Sequence, residues 1–309
     1  MAKLQKVITG HDGWIHDLSV DVSNTWFATA SADCTVKVWS IVGKLKLTLT
    51  GHRMPVRSVK VSEQLPYLFS GGEDRAVYCW DLETNKICRH FHGHASGVYC
   101  VDTHPTIPYL LFSGSRDQTV RMWDVRTRQP IHVLQEHTAA VNCVSASDCE
   151  PQLISGGADG LVVLWDIVAG KPLHTLTHHQ RSVRSLVLNP DEYTFASGSA
   201  DGINQYKLPN GELLGSLGYV PSTGIVGDSV TSMTCFNNRL FAGYDSGKLA
   251  EFDYNSGTEI SELKYTYLQN NFEQSVLCSE VDFSQTRLIT GHMDKAIRIW
   301  NCDPEESDH

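Results

Sequence analysis

Seven times along this chain, a segment of mostly small residues runs into an aspartate and then, five to seven residues later, into an aromatic side chain. Ser31-Ala32-Asp33 leads to Trp39, Gly72-Glu73-Asp74 to Trp80, Ser115-Arg116-Asp117 to Trp123, and Gly157-Ala158-Asp159 to Trp165. Ser199-Ala200-Asp201 leads to Tyr206, Gly243-Tyr244-Asp245 to Phe252, and His292-Met293-Asp294 to Trp300. Successive aspartates are 41, 43, 42, 42, 44 and 49 residues apart. A period in the forties marks a supersecondary unit that cannot bury its own faces and must stack on copies of itself.

A second anchor stands upstream of the aspartate. Gly10-His11, Gly51-His52 and Gly93-His94 precede Ile15, Val56 and Val98, with Glu136-His137 and His178-His179 as weaker versions before Val141 and Val183. Units six and seven lack the pair. Within a unit, Leu45–Leu49, Val56–Val61, Tyr67–Ser70 and Val77–Trp80 read as short strands separated by turn residues. The recurring Gly-His…Trp-Asp pattern resembles the WD40 repeat. The resemblance implies an all-β fold, a seven-bladed β-propeller over residues 1–302. Leu4–His11 matches the outer-strand segment Leu47–His52, and the chain reaches 302 just after a third strand. The N-terminal strand should therefore join the last blade and close the ring, removing exposed sheet edges. Residues 303–309 read as a short acidic, disordered tail.

The polar residues recur as sets: His11, Thr29, Asp33, Trp39; His52, Ser70, Asp74, Trp80; His94, Ser113, Asp117, Trp123; His137, Ser155, Asp159, Trp165. A lone His, Ser and Asp would suggest a hydrolase, but an enzyme needs one nucleophile in one site, and four copies argue for structure. The WD40 resemblance implies a buried network from the loop histidine through Asp and Ser or Thr to the indole N–H, and buried polar groups need such partners. Unit five keeps His179, Ser197 and Asp201, yet Lys207 falls where Trp is expected and Tyr206 comes one residue early. Unit six keeps only Asp245 and Phe252, and unit seven Thr290, Asp294 and Trp300 without the histidine. Blades five to seven should be less rigid, and the long connections 215–228 and 265–274 fall in that half.

No catalytic site, cofactor or metal is expected. Nine cysteines form no C-x-x-C pair and sit mostly in apolar runs, so they read as small buried hydrophobes in a reducing compartment. His90, His92 and His94 alternate, but His94 belongs to its blade network and no further ligand accompanies them. Gly156-Gly157 precedes a strand-to-strand turn, not the helix a phosphate loop requires. A net charge of −10 disfavours non-specific attraction to nucleic acid, and no stretch is long and apolar enough to span a bilayer.

Several segments exceed what the repeat demands: Gly13-Trp14-Ile15, Trp26–Thr29, Gly43–His52, Pro66–Asp74, Cys79–Glu83, His104–Ile107, Trp123–Thr127, Val168–Lys171, Tyr193–Ser199 and the irregular Gln205-Tyr206-Lys207. On these the chain resembles the pleiotropic regulator 1 family of WD40 proteins, which belong to the spliceosome-associated nineteen complex. The resemblance is strong over blades one to five and weaker over six and seven. It implies a non-catalytic scaffold in pre-mRNA splicing, located in the nucleus, beside a Myb-like splicing factor and the SKI-interacting protein, and monomeric within a large complex. Family members carry a long N-terminal extension and a basic C-terminal end, so a propeller fragment or a reduced version is expected here. An alternative is a substrate receptor of a cullin–RING ubiquitin ligase, since Trp123-Asp124-Val125-Arg126 matches the WDxR box of such receptors.

The loop histidine and turn aspartate lie at one end of the strands, so the first residues of each inner strand should line a channel mouth at that end. Flanking each anchor, this gives Trp14 and His16, Pro55 and Arg57, Gly97 and Tyr99, Ala140 and Asn142, and Ser182 and Arg184. Glu73, Arg116 and Tyr244 precede the turn aspartates. Arginine and aromatic residues are enriched at binding hot spots, so partner binding is expected on this face, with Trp14, His16, Arg57, Glu73, Tyr99, Arg116, Asn142, Arg184 and Tyr244 as its residues.

Overall fold

The computed structural model describes residues 3–148, 150, 153–189, 192–217, 228–263 and 275–302. The connection expected at 265–274, most of that at 215–228, and the acidic segment 303–309 lie outside these residues. The described chain forms seven antiparallel sheets of four strands each.

Blade two shows the pattern. Its strands are Val56–Val61, Tyr67–Gly72, Ala76–Asp81 and Lys86–His92, hydrogen-bonded in sequence order from the axis outward. Aspartate turns set the hairpins: in blade one, Asp33 Oδ1 accepts from the Thr35 amide at 2.9 Å and the Thr35 hydroxyl at 2.5 Å. This is the local hydrogen bonding that makes Asp a turn former. Inner strands of successive blades pack side by side around the axis, and Ile15–Val20 meets Val276–Val281 to complete the circle.

The seventh sheet joins the two ends of the chain. Lys3–Thr9 pairs antiparallel with Ala296–Asn301, from Lys3 opposite Asn301 to Thr9 opposite Ala296. This is the strand exchange that the phase of the repeat implies. It seats Ile8 in a core cluster with Ile15, Trp39, Ile289 and Ile297.

Each blade's third-strand aromatic packs against the blade before it. Trp80 sits with Ala28, Val36 and Leu49; Trp123 with Phe69, Val77 and Phe91; Trp300 with Phe241 and Leu249. Burying such a ring removes on the order of 150–250 Å² from water, so these contacts are the principal glue between blades. Close approach needs a small residue on the second strand: a Cβ at Gly114 would lie 2.7 Å from Val141 of the next blade, and one at Gly291 2.7 Å from Ile15 across the closure.

Candidate functional site

The four repeated polar sets form four near-identical networks. In blade three, His94 Nδ1 lies 2.9 Å from Asp117 Oδ2, and His94 Nε2 2.8 Å from Ser113 Oγ. The Trp123 indole donates to the same Ser113 oxygen at 2.8 Å. A carboxylate only accepts, so Nδ1 carries the proton and Nε2 accepts from the serine hydroxyl. Blade one repeats this with His11, Asp33, Thr29 and Trp39 at 2.7, 2.7 and 2.9 Å. Blade two uses His52, Asp74, Ser70 and Trp80 at 2.9, 2.7 and 2.8 Å. Blade four uses His137, Asp159, Ser155 and Trp165 at 3.1, 2.8 and 2.8 Å. The histidine side chains are at most 1 % exposed. A hydroxyl so enclosed and already bonded on both sides cannot meet a substrate. Burial raises the Asp159 carboxyl, but hydrogen bonds from His137 and the Thr138 amide outweigh it and hold it at about 2. Asp33, Asp74 and Asp117 are held low by the same balance.

The remaining blades depart from this scheme, partly against expectation. In blade five, Tyr206, not Lys207, occupies the tryptophan position: it pairs with Phe195 as Trp39 pairs with Phe27. The reason is a shorter hairpin, with Ser199 opposite Gly202, which moves the strand up by one residue. Tyr206 stacks on Phe195, 4.9 Å between ring centres. His179 Nε2 still meets Ser197 Oγ at 2.6 Å, but its buried Nδ1 has no hydrogen-bond partner among the described residues, and Asp201 Oδ2 accepts from the Gln180 and Arg181 amides. In blade six, Asp245 turns outward to Arg184 of blade five at 2.7 Å, and Asp228 holds the turn through Ser246.

Blade seven contains a histidine after all. His292, fully buried, places Nε2 2.8 Å from Thr290 Oγ1, which also accepts from the Trp300 indole at 3.0 Å. It comes from the second strand, not the loop. The space explains the exchange: at the matching positions a Cβ on Gly72 or Gly157 would lie 2.7 or 2.5 Å from Nδ1 of the loop histidine. Where the loop histidine is missing, a side chain from the strand can fill its place. Asp294 pairs with Arg298 at 2.5 Å.

At the end of the strands that carries these turns, a channel of about 360 Å³ opens along the axis. His16, Arg57, Tyr99, Asn142 and Arg184 line it together, as do Thr231 and Leu277, which the sequence reading missed. All seven residues follow an anchor Val or Ile, and each sits at a register shift; for example, Val56 pairs with Gly72 and Ser58 with Gly71, leaving Arg57 outside the ladder. A bulge of this kind re-aims a side chain, here toward the mouth. Thr231 and Leu277 could have been found from Val230 and Val276, but no Gly-His pair marks those anchors.

The mouth is not a free basic ring. Arg57 bonds Glu73 at 2.5 Å and lies over the Tyr99 ring at 5.5 Å, while Arg184 bonds Asp245. The Asn142 amide is held by Ser182 Oγ and the Val183 carbonyl. Trp14 is 45 % exposed and meets His16 edge to face, whereas Trp26 is half-buried. Burial, then the Arg57 charge, pull His16 down to about 4, so it is neutral near pH 7. Trp14, Glu73, Arg116 and Tyr244 stand off the channel wall; Arg116 is exposed and makes no ion pair among the described residues. Deeper in the channel, Lys60 bonds Asp102 at 3.0 Å, and burial raises Asp17 to about 6 and Glu280 to about 8.

On the opposite end, Trp123 is core and Arg126 is held twice, by Asp124 at 2.8 Å and over the Tyr109 ring at 4.7 Å.

Comparison with known proteins fits this architecture. The family model described as "Nucleolar protein 10-like, N-terminal domain", a β-propeller, matches residues 27–247, and the WD domain, G-beta repeat, matches 2–40 and 262–301. Three proteins described as pre-mRNA-splicing factor PRP46 align over nearly the whole chain. The Candida albicans protein is 44 % identical over 96 % of this chain and 80 % of its own length. That of Debaryomyces hansenii is 42 % identical over 96 % and 73 %, and that of Kluyveromyces lactis 45 % over 99 % and 70 %. A seven-bladed WD40 ring that aligns with these relatives over nearly its whole length at such identity belongs to the PRP46, or pleiotropic regulator 1, family.

Proposed function

We propose that this chain is a non-catalytic interaction scaffold acting in pre-mRNA splicing, and that its channel mouth holds an extended, partly acidic segment of a spliceosomal partner. The splicing role rests on the PRP46 relatives, which are named as splicing factors. The binding face rests on one observation: bulges in separate blades gather Arg57, Tyr99, Asn142 and Arg184 around one opening.

The chemistry suits a carboxylate-bearing segment. Glu73 and Asp245 already occupy the two arginines, and they show what those guanidiniums accept. Both pairs are substantially exposed, and exposed pairs contribute only about 0–1 kcal/mol, so a partner's carboxylates can replace or join them at small cost. Arginine's planar fork adds bidentate specificity, and Trp14 and Tyr99 offer flat apolar surface beside it. The family resemblance suggests the Myb-like splicing factor and the SKI-interacting protein as partners, and the nucleus as location.

The test is the triple substitution of Arg57, Arg116 and Arg184 by Ala, with folding checked by circular dichroism. Recovery of splicing proteins from nuclear extract should fall at least tenfold. Full recovery by a folded triple variant would place the binding face elsewhere.

A further inference from the structure

We propose that Cys79 and Cys88 of blade two form a reversible oxidation site, at which a hydroperoxide converts the two thiols into a disulfide within the blade. Their sulfurs are 3.2 Å apart, roughly 1.1 Å from the ~2.05 Å of a disulfide bond. Cys79 lies on the third strand with no exposure; Cys88 lies on the outer strand and is exposed. Cys88 is thus one thiol that does not behave as the buried hydrophobe its sequence setting suggests.

The repeat explains the arrangement and supplies six internal controls. In every blade the outer strand bulges opposite the step into the third-strand aromatic. In blade two, Cys79 pairs with Arg89 and Trp80 with Ile87, so Cys88 is left outside the ladder. The equivalent residues are Lys46, Ile131, Leu173, Leu214, Ile260 and Gln5. Ile131, Leu173, Leu214 and Ile260 are each 45–53 % exposed, so the fold presents this position to solvent whatever residue stands there. The residue beside it on the third strand is Val38, Met122, Leu164, Gln205, Glu251 or Ile299 in the other blades. Blade two alone places two thiols at this step. A bulged residue makes no ladder bonds, so Cys88 can close the gap without breaking the sheet.

The order of events follows from access. Cys88 meets the peroxide: its sulfur attacks one oxygen, the O–O bond breaks, water leaves, and a sulfenic acid forms. Cys79, whose thiol burial pushes up, then attacks the Cys88 sulfur. The S–O bond breaks, and the hydroxyl departs as water with the Cys79 proton. Two electrons leave the pair and one hydrogen peroxide becomes two waters. An external dithiol reverses the reaction. The product staples the outer strand to the third strand beside the partly buried Tyr67.

The experiment is peptide mapping of the folded protein, without reduction, after brief treatment with a few equivalents of hydrogen peroxide. Trypsin cuts after Arg75, Lys86 and Arg89, so the disulfide joins peptide 76–86 to peptide 87–89 in one species that dithiothreitol splits. The Cys79→Ser variant should stop at a Cys88 sulfenic acid captured by dimedone, and Cys88→Ser should leave Cys79 reduced. Recovery of Cys88 from the wild-type protein as sulfinic acid, or joined to a second chain, with Cys79 still a free thiol, overturns the proposal.

Discussion

Blades one to four and blades five to seven solve the same problem differently. In the first group a histidine reaches from a loop to bridge an aspartate and a hydroxyl, with distances that repeat within 0.4 Å from blade to blade. In the second, each blade improvises. Blade five keeps half of the bridge and substitutes a tyrosine. Blade six releases its aspartate to the channel mouth. Blade seven draws its histidine from a strand and gives its aspartate to Arg298. The packing geometry of a blade is therefore separable from the network: all seven sheets have four strands and a buried third-strand aromatic. The network adds local stability and a fixed turn. In blade six its loss leaves Asp245 to pair with Arg184 at the channel mouth.

The largest effect tests the blade that depends on a distant strand. Deleting residues 1–9 removes Ile8 from its cluster and bares the edge Ala296–Asn301. The truncated protein should lose its monomer peak in size-exclusion chromatography; a monomer with unchanged melting temperature would show that blade seven does not need closure. Next comes the direct contrast. Asp117→Ala strands His94 in a buried setting and should cost about 1–3 kcal/mol in denaturant melts. Asp245→Ala, at an exposed ion pair, should stay within about 0.5 kcal/mol. Equal losses would erase the distinction between the two groups.

His292→Ala asks whether blade seven has truly replaced its loop histidine. If so, its cost should match that of His94→Ala to within about 0.5 kcal/mol; a near-neutral result would make His292 mere filling. The smallest effect concerns pH, and the sign separates the networks from the channel. Asp159 titrates near 2 when folded, so its contribution is full above its usual pKa and is lost as pH falls toward 2. Glu280 titrates near 8, above its usual 4.5, so folding holds its proton more tightly and stability declines as pH rises from 4.5 through 8. Glu280→Gln should flatten that decline, worth about 1 kcal/mol after allowance for water in the channel. An unchanged slope would mean that Glu280 ionises freely.

The sequence exposes these features unevenly. Strand positions are plain because apolar alternation and aspartate turns are local: Val56–Val61 matches to the residue, and Tyr67–Ser70 and Val77–Trp80 fall short by one or two at their ends. Closure is plain because it needs only the phase of the repeat. The mouth residues of five blades can be read by counting from their anchors. Three features cannot. That Tyr206, plain as the aromatic of unit five, takes the tryptophan's register follows only from a hairpin one residue shorter, which changes register without altering composition. His292 is visible only once its Cβ is known to point into a space that glycine leaves open elsewhere. The pairing of Arg57 with Glu73 depends on side chains sixteen residues apart meeting across a hairpin, and that of Arg184 with Asp245 on two adjacent blades.

The closing strand also sets an order in time. Thr9 and its partner Ala296 lie 287 residues apart in the sequence. A ribosome adding about 5–20 residues per second needs roughly 15–60 s to cover that distance. Throughout this interval Lys3–Thr9, the first of the described strands, has no partner. Contacts this distant come late because loop closure must be met before they form. Lys3–Thr9 thus precedes every other described strand in the sequence and is fixed only when Ala296–Asn301 arrives.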